Sequence, residues 1–199
     1  HVLLFPSTPK ECFEMGAASF DLADRLQTPV ILMTDLDLGM NEHFSEPLEW
    51  DDANVYDRGK VFSEAELEAM SERYGRYLDV DGDGICYRTY PGTHPTKGSF
   101  FTRGSSRDEY AKYTESSEEY VVNMKRLLLK WETAKNYVPK PEIRPASEPT
   151  RDGMIYFGTT TAAAEEALDI LRDQDTHIDA LRVRGFPFNA DVEEFIEAH

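Results

Sequence analysis

Two short apolar runs, His1 to Phe5 and Val30 to Met33, carry no polar alternation and bracket a single helix-length stretch. Strands that are apolar on both faces belong to a covered parallel sheet, because a sheet with one wet face shows a period of two. The intervening stretch opens with its own start signal. Thr8 caps, Pro9 fits the first helical position, and Glu11 completes a capping box. The helix is expected to run to about Gln27, with Cys12, Phe13, Met15, Ala17, Phe20, Leu22, Ala23 and Leu26 spread over a broad apolar face. Residues 1–34 therefore predict a β-α-β unit.

Further along, Asp35 to Phe62 mixes glycine, proline and acids without a period and reads as loop. Ser63 with Glu66 predicts a second capping box, followed by Leu67, Met70 and Tyr74 on one helical face before Gly75. Gly84 to Arg107 reads as two short β-like pieces around a Pro/Gly/Thr loop, a hairpin in outline. Ser116 and Glu119 open a long helix to about Asn136, with Tyr120, Val121, Met124, Leu127, Leu128 and Trp131 on one stripe. Val138 to Asp152, with its prolines and mixed charge, predicts a linker. A second β-α-β pattern follows: a strand at Met154 to Phe157, a turn at Gly158 to Thr161, a helix to Arg172, a strand at Ile178 to Val183, and a last helix capped by Asn189. The expected organisation is thus 1–45, a bridging segment 46–137, a linker 138–152, and an α/β domain 153–199. Opening on a strand and closing on a helix, the chain is expected to be an internal segment of something longer.

Composition narrows the function classes. Acids outnumber bases 38 to 21, for a formal charge of −17, so a nucleic-acid backbone would be repelled by most of the surface. No apolar run reaches the length of about 18 residues that a membrane helix needs, and the first residues lack a signal-peptide pattern, so a cytoplasmic protein without a membrane partner is expected. Two cysteines, Cys12 and Cys86, fall short of the roughly four thiolates that an iron–sulfur cluster requires.

Local motifs give little chemistry. Asp79, Asp81 and Asp83 begin like a calcium loop, but the position of the closing bidentate Glu is Tyr90, so an acidic turn is expected and no metal ligand is assigned. Gly158 to Thr161 sits at a strand-to-helix turn yet lacks the glycine pattern of a dinucleotide site and the Gly-Lys-Ser/Thr of a P-loop, and reads as a helix cap. The five histidines are scattered, and no Ser or Cys sits in a nucleophile turn. No catalytic residue is assigned. The stretch from Gly84 to Arg107 is different. It holds Arg88, Lys97, Arg103 and Arg107 without one Asp or Glu. Arg103, with Lys97 as a helper, is the candidate for gripping a carboxylate or phosphate. Pairing with the acidic surface of this protein or of a partner subunit is the competing reading.

Two segments carry a family resemblance. Residues 9–40, PKECFEMGAASFDLADRLQTPVILMTDLDLGM, resemble the end of the pyrimidine-binding domain in α subunits of 2-oxoacid:ferredoxin oxidoreductases. Residues 88–128, RTYPGTHPTKGSFFTRGSSRDEYAKYTESSEEYVVNMKRLL, are similar to the joining segment of the 2-oxoglutarate type. The later stretches IYFGTTTAAAEEALDIL and RVRGFPFNADVEEFI resemble that family's transketolase C-terminal-like domain. Ser106 and Arg107 depart from the Glu-His that many relatives carry there, so no role of that His is transferred. The resemblance implies an α/β fold in which the end of a thiamine-diphosphate (pyrimidine-type) domain joins a transketolase C-terminal-like domain. It implies an enzyme that uses thiamine diphosphate with magnesium in the complete complex, an iron–sulfur cluster on a partner β subunit, and ferredoxin and coenzyme A as reactants. The family's thiamine-contacting Glu and its Tyr-Pro-Ile-Thr-Pro motif lie upstream of the part represented, so this chain alone is expected to be inactive. A non-catalytic structural or regulatory module of the same fold, and a transketolase-like subunit, are the alternatives.

Overall fold

The structure, a computed structural model, describes residues His1–His199. The chain divides into two units. The first comprises His1–Ala23, Thr28–Tyr56 and Ala134–His199, and the second Asp24–Gln27 with Asp57–Thr133.

In the first unit the expected β-α-β forms. β1 (Val2–Leu4) pairs in parallel with β2 (Val30–Leu32), joined by α1 (Pro9–Leu26). Half of the start signal works as read, with the Glu11 amide donating to Thr8 Oγ1 at 3.1 Å, but the Glu11 carboxylate accepts from the amide of Ser7, at 2.8 Å, and not from that of Thr8 as a capping box would have it. Met15 and Leu22 are buried, whereas Phe20 turns out to be exposed. β1 is covered and β2 is not, with Ile31 and Met33 both exposed. That departs from the sheet buried on both faces implied by the unalternating run. A two-residue strand, β6 (Gly185–Phe186), completes the sheet antiparallel to β1, giving the order β2-β1-β6.

A second three-stranded sheet, order β3-β5-β4, is mixed. β4 (Gly153–Phe157) runs parallel to β5 (Asp179–Val183), with α5 (Thr160–Asp173) between them, as the second β-α-β pattern requires. β3 (Glu142–Arg144) pairs antiparallel with β5. The stretch expected as a linker therefore contributes a strand. Its Ile143 lies in register with Leu181, and three residues are too few for a period-two signal to show between prolines. The core gathers Phe5, Leu181, Val183, Val192 and Phe195, the last two from α6 (Ala190–Ala198). Neither Thr159 nor Asn189 caps its helix through the side chain. The Thr159 hydroxyl instead donates to Asp35 at 2.5 Å.

One ion network anchors α1 to the second sheet. Arg182, nearly fully buried on β5, meets Glu11 at 2.7 Å and Glu142 at 2.8 Å, and Arg184 meets Glu11 at 3.0 Å. Burial alone would raise the Glu11 pKa, but the Arg182 guanidinium and the Ser7 amide and hydroxyl outweigh it and hold the carboxyl at about 2.

The segment after β2, read as loop, contains a short helix, α2 (Leu36–Met40), capped by Asp35 and burying nothing. Its aspartates sit where a cap wants them, but five residues are too few to show a helical period.

The second unit has little regular structure. α3 (Glu64–Ala69) carries the expected Ser63/Glu66 capping box and buries Leu67, but ends before Met70 and Tyr74, which leave the helical face assigned to them. No hairpin forms between Gly84 and Arg107. Only isolated bridges, Val61 with Arg88 and Arg107 with Tyr113, mark this region. Left-handed backbone at Gly92, Gly98 and Gly104 turns the chain too often for two strands to align. α4 (Ser117–Ala134) forms as expected, yet Tyr120, Val121, Leu127 and Leu128 of its apolar stripe are exposed. Its inner face is mixed, with half-buried Met124 and Trp131 and buried Ala134 beside Asn123, Arg126, Lys130 and Thr133. The acidic turn at Asp79 is closed from within: Asp79 accepts from the amides of Gly82, Asp83 and Gly84, while Lys60 bridges Asp81 at 2.7 Å and Asp83 at 2.8 Å. No helix of the chain is long and apolar enough to cross a membrane.

Candidate functional site

A cavity of about 1030 Å³ lies in the second unit between the turn after α3 and the loops 96–103 and 110–113. Two glycines shape it. Gly98, at φ +79°, passes so close to Leu67 and Thr89 that a Cβ would lie 2.9 Å from Thr89 Cγ2, and the Thr89 hydroxyl donates to its carbonyl at 2.6 Å. Gly104, at φ +72°, lies against the Tyr113 ring, where a Cβ would come to 2.4 Å. His94 organises the loop between them. Its Nδ1 receives the Lys97 amide at 2.9 Å and the Thr96 amide at 3.1 Å, which leaves Nε2 to donate to Glu68 at 2.7 Å. That hydrogen bond, with the Lys97 charge, holds the Glu68 carboxyl below its usual range.

The structure sorts the four bases of the acid-free stretch. Arg88 pairs with Asp24 at 3.2 Å and donates to the Arg58 carbonyl at 2.7 Å. Arg107 donates to the Gly104 carbonyl at 2.8 Å. Lys97 lines the cavity, but its ammonium donates to the Glu68 carbonyl at 2.8 Å, covering the end of α3, so most of its hydrogen-bonding capacity is spent. Arg103 remains. It lies in the cavity lining with its guanidinium over the Tyr113 ring, 5.8 Å from the centroid, and forms no ion pair. A guanidinium held by an aromatic face keeps its N–H donors available.

Two cations of the same lining escape sequence reasoning. Arg73 stacks over Tyr110 at 4.9 Å, and Lys112 stands on the facing loop. Both lie outside the acid-free run, Arg73 directly after Glu72, so a charge-run reading passes over them. Glu72 is the only acid in the lining. Tyr74, Phe100, Phe101, Tyr110 and Tyr113 supply apolar surface. Cations beside aromatic side chains suit an organic anion: the rings offer apolar surface and the guanidinium can take a carboxylate or phosphate.

No protein-family profile and no curated protein sequence matches the chain. Solved structures do match. One of them, 2-oxoglutarate:ferredoxin oxidoreductase from Magnetococcus marinus with 2-oxoglutarate, coenzyme A and succinyl-CoA bound, superposes with a TM-score of 0.81 over 99% of this chain, at 20% identity. This chain has the fold of part of a 2-oxoglutarate:ferredoxin oxidoreductase. It spans 33% of that solved chain. The neighbour is a member of the family that residues 9–40 and 88–128 resemble, and the fold it shares with this chain is the one that resemblance implies.

The cofactors such an enzyme implies do not fit the side chains present. Cys12 and Cys86 lie in different units and their thiols are pushed up, chiefly by burial, which disfavours the thiolate that a cluster binds. No His, Cys, Asp and Glu side chains come together in a group able to hold a metal ion. A magnesium diphosphate therefore finds no ligand set on this chain alone.

Proposed function

We propose that this chain is part of the α subunit of a thiamine-diphosphate-dependent 2-oxoacid:ferredoxin oxidoreductase, most simply one acting on 2-oxoglutarate. The observation that carries the proposal is the structural match of 99% of this chain to a third of the Magnetococcus enzyme's chain. On this reading residues 1–45 are the end of a pyrimidine-type domain and 153–199 belong to a transketolase C-terminal-like domain. The complete enzyme would be cytoplasmic, with a β subunit carrying the iron–sulfur cluster and ferredoxin accepting the electrons. Thiamine diphosphate, when bound in that complex, supplies the decarboxylation chemistry, and coenzyme A takes the acyl group.

The part assigned to this chain's own residues is to hold an anion. Arg103, with Arg73 and Lys112 on the same cavity and Lys97 at its margin, receives a carboxylate. 2-Oxoglutarate has a distal carboxylate that shorter 2-oxoacids such as pyruvate lack, so an arginine at this place would select for it. In the assembled enzyme, Arg103→Met is expected to lower kcat/KM for 2-oxoglutarate by about 1.5 to 3 kcal/mol, with subunit assembly intact. The strongly exposed Phe101 beside it favours a second reading, in which Arg103 pairs with a carboxylate of the partner subunit. Loss of assembly in the same variant would select that reading, and unchanged kinetics with unchanged assembly would exclude both.

A further inference from the structure

From Asp35 to Tyr56 the chain runs through α2 and then without helix or strand, and every residue except Leu38 is exposed. This segment is not hydrophilic. Leu36, Met40, Phe44, Leu48, Trp50 and Val55 are spaced along it, Phe44 at 109% and Val55 at 90% of full exposure. Few contacts tie it to the first unit: the Asp35 bond with Thr159, the edge of Trp50 on Phe13 with ring centroids 6.1 Å apart, and a solvent-exposed pair between Lys10 and Glu46 at 3.9 Å. Between strap and α1 lies a hollow of about 570 Å³ lined by Lys10, Phe13, Glu14, Glu46, Leu48 and Glu49. Ordering a chain segment costs conformational entropy that buried contacts must offset, and these contacts bury almost nothing. Large apolar side chains presented along a fully exposed segment belong at an interface.

Charge selects what covers it. Between Asp35 and Tyr56 stand seven carboxylates, Asp35, Asp37, Glu42, Glu46, Glu49, Asp51 and Asp52, with no lysine or arginine. A second copy of this chain, carrying the same strap and a charge of −17, would be repelled, as would an anionic membrane or a nucleic acid. We propose that residues 35–56 form a docking strap for a partner polypeptide that offers apolar sockets rimmed by lysine and arginine. The apolar side chains anchor the strap, and the carboxylates set its orientation and speed the encounter.

This goes beyond the enzymatic reading and does not require it. The native complex, purified through this chain at low ionic strength, is treated with a carbodiimide that joins carboxylates to amines in contact. Cross-links from Glu42, Glu46, Glu49, Asp51 or Asp52 to lysines of another polypeptide are expected. Two variants, E42Q/E46Q/E49Q/D51N/D52N and F44S/V55S, should each raise the dissociation constant about tenfold or more, the first also flattening its salt dependence. Neither should change the melting temperature of the chain by itself. Strap cross-links confined to this chain or a second copy of it, unchanged dissociation constants in both variants, or a chain recovered alone would each overturn the proposal. A cross-linked partner without cluster-binding cysteines would sink the oxidoreductase reading and leave the strap standing.

Discussion

α1 and α4 are both 18 residues long and both amphipathic, yet they face opposite ways. α1 turns Met15 and Leu22 inward. α4 half-buries Asn123, Arg126, Lys130 and Thr133 along with Met124 and Trp131, and leaves Leu128 at 67% exposure. Their surroundings explain the difference. In the first unit two sheets satisfy much of the backbone, so the helix beside them covers apolar surface, apart from the Glu11 ion network at its start. The second unit is mostly irregular, and its loop carbonyls have no ladder to pair with. α4 supplies the donors: Arg126 to the Gly84 carbonyl at 3.0 Å, Lys130 to Gln27 at 3.1 Å, and Thr133 to Asp83 at 2.7 Å. Gly84 is held so near that a Cβ would lie 2.3 Å from the Lys130 amide nitrogen. A helix that serves loop carbonyls on one face turns part of its apolar stripe, Tyr120, Val121, Leu127 and Leu128, to solvent.

The contrast is most exposed to disproof at the buried charged contact of α1, between Glu11 and Arg182. Arg182→Met leaves Glu11 buried without its main partner and should lower the stability of the first unit by about 3 to 5 kcal/mol, read by denaturant unfolding. The same pair sets an acid limit. With a folded pKa of about 2 against an ordinary 4.5, Glu11 contributes its full stabilisation above 4.5 and loses it as pH falls toward 2. A wild-type melting temperature flat over that window would contradict the ion network.

Next in size, Leu22→Ala should cost about 2 to 4 kcal/mol through transfer and cavity terms. A smaller cost would mean that α1 is as loosely seated on its apolar side as α4.

Lys130 tests the polar face by titration. Burial, with Arg126 adding repulsion, lowers its pKa from 10.5 to about 8. The folded state then binds fewer protons than the unfolded chain between those values, so stability should rise with pH across that window. Allowing for partial exposure, the rise is about 1 kcal/mol. Lys130→Met should abolish the rise, and a persistent rise would assign it to another group.

Smallest of all, Leu128→Ala should change stability by less than about 0.5 kcal/mol in the isolated chain. A cost like that of Leu22→Ala would show the apolar stripe of α4 to be packed after all.

Local signals in the sequence determined a good deal here. The Thr8 cap on Glu11, the Ser63/Glu66 capping box, the parallel pairing of β1 with β2 and the second β-α-β pattern reappear as read, because caps and strand signals are set within a few residues of themselves, whereas the burial expected of β2 does not. The bases of the acid-free stretch were visible as a group, but not their division. Arg88 found Asp24 and Lys97 found the end of α3 only through contacts far apart in the chain, while Arg103 was left facing a cavity it shares with Arg73. Likewise β3 exists because β5 offers it an edge. For α4, the period of 3.6 told that one face is apolar, but not which face turns inward. That was decided by unpaired carbonyls elsewhere in the fold, whose need for donors outweighed the burial of a leucine stripe.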